Sequence, residues 1–220
     1  MSLCKICQNN TRTIRDEKKH LSYYRCLFCG FVYLDDDSVI DSVSEKKHYE
    51  LHNNSFESLG YVKMFEDFIA EAITCYEHDI KTALDFGCGP GPVLAELLRR
   101  KGMEVDQYDL YFSPQKVYEG KKYDLITSTE VFEHLQRPIE ILETLVKHTK
   151  EGGYIILMTK FPPYNDKEFL DWWYRRDVTH ISFFTPKSFE IMAEKVGLKM
   201  LKTINDNIVI FQKIISLTLK

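Results

Sequence analysis

Apolar residues recur with helical spacing along residues 61–76. The repeating positions lie three or four residues apart and are Tyr61, Met64, Phe65, Phe68, Ile69, Ala72, Ile73 and Tyr76. Such a stripe forms one apolar face of a helix of about four turns. Because an apolar face must be covered, the stripe predicts a helix that packs against a larger core.

From residue 80 onward, short apolar runs alternate with helical patterns. The predicted strands cover residues 82–86, 103–110, 123–128, 153–159, 198–204 and 208–215, and the predicted helices cover residues 92–100, 138–150 and 186–196. Alternating strands and helices indicate a parallel sheet. The turn-prone residues Asn205, Asp206 and Asn207 indicate that the last two strands form an antiparallel hairpin. The pattern therefore predicts an α/β fold whose ligands bind at the carboxyl ends of the parallel strands.

The composition is that of an ordinary globular chain. Of its 220 residues 44% are apolar and 28% charged, and the net charge is −4. These values argue against the disordered, collagenous and coiled-coil classes, and the acidic balance disfavours nucleic acid as a partner without excluding it. No apolar run approaches the roughly 20 residues that span a bilayer, and residues 1–10 carry no apolar signal stretch. We therefore expect a cytoplasmic protein.

A glycine-rich turn follows the first predicted strand of the alternating region. Gly87 and Gly89 permit a tight turn and close approach of a ligand, and the helix that follows presents free N–H groups. A dinucleotide fingerprint would need a third glycine where the chain has Pro92. The turn instead resembles the first motif of class I S-adenosylmethionine-dependent methyltransferases, which is matched by Asp85, Gly87, Gly89 and Gly91. This resemblance implies a Rossmann-like methyltransferase sheet.

The resemblance also implies a set of cofactor-binding residues. In this family an acid at the end of the second strand holds the ribose hydroxyls, and Asp109 corresponds to it. Residues 123–135 are similar to the family's fourth strand and to the Glu-His-Leu turn beside the methionine end of the cofactor. S-adenosylmethionine is thus expected to contact Asp85, Gly87, Cys88, Gly89, Gly91, Asp109, Thr129 and Glu130. Two roles remain open for Asp85, because its side chain can cap the loop or the helix as readily as it can contact the ligand.

The connection between Asp109 and Tyr123 is short. Only 13 residues separate them, too few for the helix and third strand that usually follow in this family. No acid occupies the position that commonly contacts adenine. We therefore expect a sheet that is truncated at this edge, with no residue assigned to adenine.

Four cysteines near the amino terminus are paired by their spacing. Cys4 with Cys7, and Cys26 with Cys29, form two Cys-x2-Cys knuckles separated by 18 residues. This spacing is typical of a zinc site, and four thiolates make a closed, structural site. The alternatives are free thiols or a redox pair, and an iron centre uses the same ligands. Since so short a segment buries little apolar surface, the metal would supply much of its folding free energy.

These features divide the chain into three parts. We expect a zinc ribbon over residues 1–37, a polar, acid-rich linker with one short helix over residues 38–59 and a methyltransferase domain over residues 60–220. The arrangement looks like a recurrent one in which a zinc ribbon is fused to a class I methyltransferase. The acidic residues 35–37 beside the ribbon disfavour a phosphate-rich partner.

A long connection follows the predicted strand at residues 153–159. It covers residues 160–185, a length that is typical of a functional loop or lid. Histidine titrates near neutrality, and only His134 and His180 fall in segments expected at the carboxyl end of the sheet. Asp177 lies close enough in sequence to fix the tautomer of His180, so we expect His180 to act as a base and His134 to cap a turn. The alternative is that Asp177 and His180 only pin the connection to the sheet.

Together these features predict an enzyme. We expect it to transfer a methyl group from S-adenosylmethionine to an oxygen or carbon nucleophile of a small molecule. The alternatives are an RNA or protein methyltransferase guided by the ribbon, and a non-catalytic module whose glycine loop only holds a ligand. For in-line displacement at a sulfonium carbon, the protein mainly has to orient the two reactants and exclude water.

Overall fold

The computed structural model describes residues 2–50 and 55–215, which form two sheets. In chain order the strands are β1 (Thr11–Asp16), β2 (Leu21–Cys26), β3 (Val32–Leu34), β4 (Thr82–Phe86), β5 (Glu104–Tyr108), β6 (Tyr123–Thr129), β7 (Thr149–Met158), β8 (Ser182–Phe183), β9 (Leu198–Ile204) and β10 (Ile208–Lys213). The α-helices are α1 (Ser42–Tyr49), α2 (Leu59–Phe68), α3 (Val93–Arg100), α4 (Pro138–Lys147), α5 (Asp166–Asp171) and α6 (Pro186–Val196). Residues 51–54 of the predicted linker, Met1 and residues 216–220 lie outside the described residues. Within the described part of the chain, no helix has the length and hydrophobicity needed to cross a membrane.

The larger sheet has the strand order β5-β4-β6-β7-β10-β9. Strands β5, β4, β6 and β7 run parallel, and β10 pairs antiparallel with both β7 and β9. This topology confirms the predicted α/β fold and its terminal hairpin. In the described residues no strand lies beyond β5, so the predicted truncation of this edge is confirmed as well.

Helix α6 shows why some element bounds can be predicted from sequence. The Thr185 hydroxyl accepts a hydrogen bond from Ser188 N, and the Ser188 hydroxyl accepts one from Thr185 N, which makes a capping box. The helix ends at Gly197, whose φ of 76° is a left-handed conformation that favours glycine. The observed bounds of this helix agree with the predicted ones.

The helix predicted at residues 61–76 is divided into three helical types. Helix α2 continues into a π-helix (Ile69–Ile73) and a 3-10 helix (Thr74–Asp79). The Thr74 hydroxyl donates to the carbonyl of Ile69, five residues earlier, at 3.1 Å, and this bond competes with regular helical pairing. The stripe still packs as predicted, because its central members are buried.

The junction between α4 and β7 also differs from the prediction. Helix α4 ends at Lys147 and β7 already begins at Thr149, so Gly152 lies inside the strand rather than before it. The pairing of β6 with β7 shifts register between Tyr123 and Leu125. Gly152 has a φ of 76°, which lets the strand bulge at this point.

The smaller sheet joins the amino-terminal segment to the connection at residues 160–185. Its strand order is β1-β2-β3-β8, and β8 lies inside that connection. Val32 pairs with Phe183, and Tyr33 pairs with Ser182. The segment expected as a ribbon thus shares a sheet with the segment expected to face the substrate. The division into parts at residues 1–37, 38–59 and 60–220 stays a prediction.

Buried side chains form three clusters. One covers a face of the larger sheet and includes Cys4 and Cys29 together with Phe184. The second covers the opposite face, where α2 and α3 pack. The third lies between the smaller sheet and the connection and contains Tyr23 and Phe169. The cysteine segment is therefore packed into the core of the molecule.

Candidate active site

A cleft of about 1120 Å³ opens at the carboxyl ends of the parallel strands. Its lining comes from the glycine loop after β4, the turns after β5 and β6, helix α1 and the connection at residues 160–185. The residues predicted for the site that line the cleft are Gly87, Gly89, Asp109, Thr129, Glu130, His134, Asp177 and His180. The topology thus brings most of the predicted residues together.

The glycine loop folds back toward β5. The N–H groups of Gly87 and Cys88 both donate to the carbonyl oxygen of Tyr108, at 2.7 and 3.1 Å. Gly87 has a φ of 87°, and a Cβ at this position would lie 2.2 Å from Cγ2 of Val131. Glycine is therefore required here, and the loop backbone stays open to close approach by a ligand.

Asp109 ties the glycine loop to the turn after β5. Its Oδ2 accepts from Gly89 N at 3.0 Å, and its Oδ1 accepts from Tyr111 N and Phe112 N at 2.8 and 3.0 Å. This turn ends β5 at Tyr108, two residues before the predicted end. The carboxylate lines the cleft, at the position where the resemblance places the ribose hydroxyls.

Asp85, Cys88 and Gly91 were also predicted to bind the cofactor, but they are not among the residues that line the cleft. Asp85 is 2% exposed and accepts from the Thr127 hydroxyl at 3.2 Å. Burial raises the pKa of Asp85 to about 7 and that of the Cys88 thiol to about 12. Of the two roles left open for Asp85, the internal one fits this position, since its carboxyl group joins β4 to β6.

A tyrosine hydroxyl joins two carboxyl groups after β6. Tyr174 Oη lies 2.6 Å from Glu133 Oε1 and 3.0 Å from Glu130 Oε2, and its single proton serves one acceptor at a time. Burial raises the pKa of both carboxyl groups, to about 7 for Glu133. Glu130 lines the cleft with a φ of 54°, a strained conformation for a residue with a side chain. Glu133 is fully buried, and its Oε2 has no hydrogen-bond partner among the described residues.

The tautomer of His180 is set by a backbone carbonyl. His180 Nδ1 lies 2.7 Å from the carbonyl oxygen of Tyr174. Because a carbonyl only accepts, Nδ1 carries the proton and Nε2 is the basic nitrogen. The expectation that Asp177 fixes this tautomer is corrected, since its Oδ2 lies 3.9 Å from His180 Nε2.

Asp177 is held by other partners. It accepts from the N–H and the hydroxyl of Thr179 at 2.9 and 2.6 Å, and it pairs with His48 Nε2 at 3.1 Å. Burial alone would raise the pKa of Asp177, but the bonds from Thr179 outweigh it and hold this pKa well below its usual range. Asp177 therefore stays charged and organises the turn before His180.

His134 is oriented in the same manner as His180. Its Nδ1 donates to the carbonyl oxygen of Thr179 at 3.0 Å, and the two imidazole rings lie 4.8 Å apart. One ligand atom from each of Glu133, His134 and His180 lies within 4.8 Å of the others. Such a spacing could hold a metal ion, but it is too wide for a proton shared by the three groups.

Helix α1 belongs to the predicted linker but lines the cleft. The hydroxyls of Tyr111 and Tyr49 donate to the Glu45 carboxylate at 2.5 and 2.8 Å. At the other side of the cleft, the helix is joined to Asp177 through His48. Helix α1 has no buried residue, so it carries no apolar stripe from which its position could have been predicted.

The four predicted metal ligands converge. The Sγ atoms are separated by 3.3 Å for Cys7 and Cys26, 3.6 Å for Cys7 and Cys29, and 3.7 Å for Cys4 and Cys29. A tetrahedron with 2.3 Å metal–sulfur bonds has edges of about 3.8 Å, so the cluster has the dimensions of a tetrahedral thiolate site. Backbone N–H groups donate to these sulfurs, namely those of Ile6, Phe28 and Cys29.

Named relatives match parts of the chain. The ubiquinone biosynthesis O-methyltransferase of Vibrio cholerae is 29% identical over 103 residues, which cover 36% of this chain and 42% of that protein. The enzyme of the same name from Hydrogenovibrio crunogenus is 25% identical over 150 residues, which cover 54% of this chain and 62% of that protein. The matches therefore span less than two thirds of either relative.

Solved structures share the fold. Magnesium protoporphyrin IX methyltransferase from Synechocystis PCC 6803 is 15% identical, with a TM-score of 0.52 over 70% of this chain and 80% of that one. An O-methyltransferase family protein from Burkholderia thailandensis is also 15% identical, with a TM-score of 0.54 over 70% of this chain and 57% of that one. A sequence profile of a methyltransferase domain matches residues 56–203, well over half of the chain. The chain therefore belongs to this methyltransferase domain family.

Proposed function

We propose that this protein transfers a methyl group from S-adenosylmethionine to an oxygen atom of a small-molecule acceptor. The observation that carries this proposal is a cleft in which the Asp109 carboxylate, bonded to the glycine loop, lies together with two oriented imidazoles. Membership in the family supports methyl transfer. The names of the relatives favour oxygen over carbon as the atom that is methylated.

We name the residues around the glycine loop, Gly87, Gly89, Asp109 and Tyr111, the glycine-loop side. This side would hold the cofactor, because the Asp109 carboxylate lines the cleft and, with three backbone N–H groups already bonded to it, still has an acceptor position for a ribose hydroxyl. When bound, S-adenosylmethionine supplies an electrophilic methyl group on a sulfonium sulfur. The work of this side is to hold that group at a fixed distance and direction from the acceptor.

We name the residues Glu130, His134, Tyr174 and His180 the histidine side, and this side would receive the acceptor. An acceptor hydroxyl must lose its proton as the new oxygen–carbon bond forms and the carbon–sulfur bond breaks. His180 Nε2 would take that proton, since Nδ1 is committed to the carbonyl oxygen of Tyr174. Helix α1 and the connection at residues 160–185 would keep water out.

We further propose a structural zinc ion on Cys4, Cys7, Cys26 and Cys29. The size of the sulfur cluster supports it, and four protein ligands leave no open position for catalysis. Residues 1–37 would then form the zinc-binding part and residues 60–220 the methyltransferase part, with residues 38–59 between them. Thiols that serve as metal ligands fit a reducing compartment such as the cytoplasm.

Calorimetric titration with S-adenosylhomocysteine tests the cofactor assignment without a known acceptor. We expect Asp109→Ala to weaken binding by about 10- to 150-fold, which corresponds to the 1.5–3 kcal/mol of hydrogen bonds to a charged group. Asp106→Asn, on β5 and outside the cleft, is the control and should bind like the unaltered protein. Equal affinity for NAD, or unchanged binding by Asp109→Ala, would contradict the assignment.

A further inference from the structure

The cysteine segment and the connection at residues 160–185 are joined by charged side chains that are themselves buried. Arg175 Nη2 lies 2.8 Å from Asp16 Oδ2, and the two side chains are only 4% and 7% exposed. The Arg175 guanidinium also donates to the Tyr23 hydroxyl at 3.2 Å and to the carbonyl of Leu170 at 2.5 Å. Removal of either charge would leave the other uncompensated in apolar surroundings.

Two further contacts join the same parts of the chain. The Arg25 guanidinium donates to the Asp166 carboxylate at 2.9 Å and to the carbonyl of Pro163 at 3.0 Å. The Thr185 hydroxyl donates at 2.5 Å to the carbonyl oxygen of Cys29, one of the four cysteines. The connection is thus held to the cysteine segment near its start, in its middle and at its end.

The middle contact is adjacent to the histidine side. Arg175 follows Tyr174, whose hydroxyl joins Glu130 to Glu133 and whose carbonyl sets the tautomer of His180. Because one peptide bond joins the two residues, a displacement of Arg175 also displaces Tyr174. The glycine-loop side, in contrast, is positioned by β4, β5 and the residues that follow them.

We infer that Asp16 and Arg175 are positioning residues for the histidine side, through which the four-cysteine segment holds Tyr174 and His180 in place. This inference rests on the proposed function, because that proposal identifies the histidine side as the acceptor end of the cleft. The amino-terminal segment then acts as a brace for the acceptor site. Loss of the metal or of the ion pair should disturb the histidine side and spare cofactor binding.

Tryptophan fluorescence can report on this region selectively. The chain has two tryptophans, and both lie in the connection, as Trp172 and Trp173. The Trp172 ring packs 5.1 Å from Tyr174 and 5.9 Å from Phe183, whereas Trp173 is 61% exposed. A Trp173→Phe background therefore isolates the signal of Trp172.

In this background we expect Asp16→Asn to raise the acrylamide quenching of Trp172 by roughly twofold or more, because local opening exposes the ring. Asp16→Glu keeps the carboxylate and should restore most of the protection. The affinity for S-adenosylhomocysteine should change by less than about twofold in both variants, which also shows that they fold. The side-chain nitrogen NMR signals of His180 should lose their single-tautomer pattern in Asp16→Asn only.

One control and two further tests complete the experiment. Asp67→Asn breaks an exposed ion pair with Lys63 and should leave quenching unchanged. Removal of the metal from the whole protein with a chelator should reproduce the effect of Asp16→Asn, and Arg25→Gln should give a smaller effect of the same kind.

Unchanged quenching in Asp16→Asn and in the metal-free protein, or an equal loss of S-adenosylhomocysteine binding, would overturn the inference. If the unaltered protein does not bind S-adenosylhomocysteine, the proposed function fails, and the quenching data still decide the positioning role.

Discussion

The two sides of the cleft are assembled from different kinds of contact. The glycine-loop side comes from consecutive elements: β4, the loop, α3, β5 and the turn at Asp109. The histidine side combines the turn after β6 with the connection at residues 160–185, and it depends on the cysteine segment through Arg175 and Asp16. One side is thus a local unit of the chain, and the other is a junction of distant segments.

This difference separates two properties that an enzyme of this class needs. A local βα unit can hold the same cofactor in many settings, because its geometry depends on few other parts of the fold. A junction of distant segments can change when any of them changes, which suits the side that we propose receives the acceptor. Outside helix α1, which is bonded to both sides, substitutions should therefore affect mainly one side, and the following experiments test this separation.

The largest effect is expected at His180, the proposed base. With an acceptor in hand, His180→Ala should slow methyl transfer by about 10²- to 10⁴-fold, because the hydroxyl proton loses its acceptor. Binding of S-adenosylhomocysteine, measured by calorimetry, should stay near that of the unaltered protein. His78→Ala, an exposed histidine outside the cleft, serves as the control.

A second substitution at the same position separates proton transfer from simple positioning. Asn at position 180 can still donate to the carbonyl of Tyr174 but cannot accept a proton at neutral pH. We expect His180→Asn to be as slow as His180→Ala. If His180→Asn retains near-normal turnover, then His180 only pins the connection, as the alternative in the sequence analysis holds.

The next effect concerns how the stability of the protein depends on pH through Asp85, which lies on β4 before the glycine loop. Asp85 has a folded-state pKa of about 7 against the usual 3.8, so the folded chain keeps a proton that the unfolded chain releases. The protonated Asp85 makes its full contribution to the free energy of unfolding below about pH 4. As the pH rises toward 7 this contribution is lost, and the free energy of unfolding falls by on the order of 2–4 kcal/mol in all. Because an amide does not ionise, Asp85→Asn should not lose stability as the pH rises. Urea unfolding should therefore show that the variant is more stable than the unaltered protein at pH 8 and about equally stable at pH 4.5.

Asp124 provides a matched control of opposite sign. Burial would raise its pKa, but the bond from Lys150 at 2.8 Å and those from Thr82 outweigh it and lower the pKa to about 2. Its contribution to stability is therefore present at neutral pH and is lost in acid. Asp124→Asn should destabilise the protein at pH 8. A destabilising effect of Asp85→Asn at the same pH would contradict the raised pKa of Asp85.

The smallest effect is expected where helix α1 meets the histidine side. The His48–Asp177 pair is partly exposed, and such pairs contribute about 0.2–1 kcal/mol. His48→Asn should therefore speed the dissociation of S-adenosylhomocysteine by at most roughly fivefold, as measured by stopped-flow. Lys47→Asn, an exposed neighbour on the same helix, should leave the rate unchanged, and equal rates in both variants would show that α1 does not restrain the ligand.

The same difference explains what could be predicted from sequence. Asp109 and the glycine loop could be identified because a turn, a strand and a fixed spacing are local signals. Tyr174 could not be assigned, because its bonds to Glu130 and Glu133 cross more than 40 residues of chain. Such pairings leave no periodicity in either segment.

One structural element was missed, and the position of another could not be predicted, for related reasons. Strand β8 has two residues, too few for an alternating pattern, and it exists because β3 offers it a partner. Helix α1 agrees with the short helix expected in the linker, but it has no buried residue, so its sequence does not indicate that it lines the cleft. In both cases the position is decided by tertiary contacts rather than by local propensity.

Helix α1 is bonded to both sides of the cleft, through Glu45 to Tyr111 and through His48 to Asp177. If binding of one ligand moves this helix, the movement is therefore transmitted to the binding site of the other ligand. Such coupling is reciprocal by thermodynamic necessity, so the factor by which cofactor changes the affinity for acceptor equals the factor by which acceptor changes the affinity for cofactor. If the proposed cofactor and acceptor bind on these two sides, this eight-residue helix without a buried side chain would link their binding equilibria.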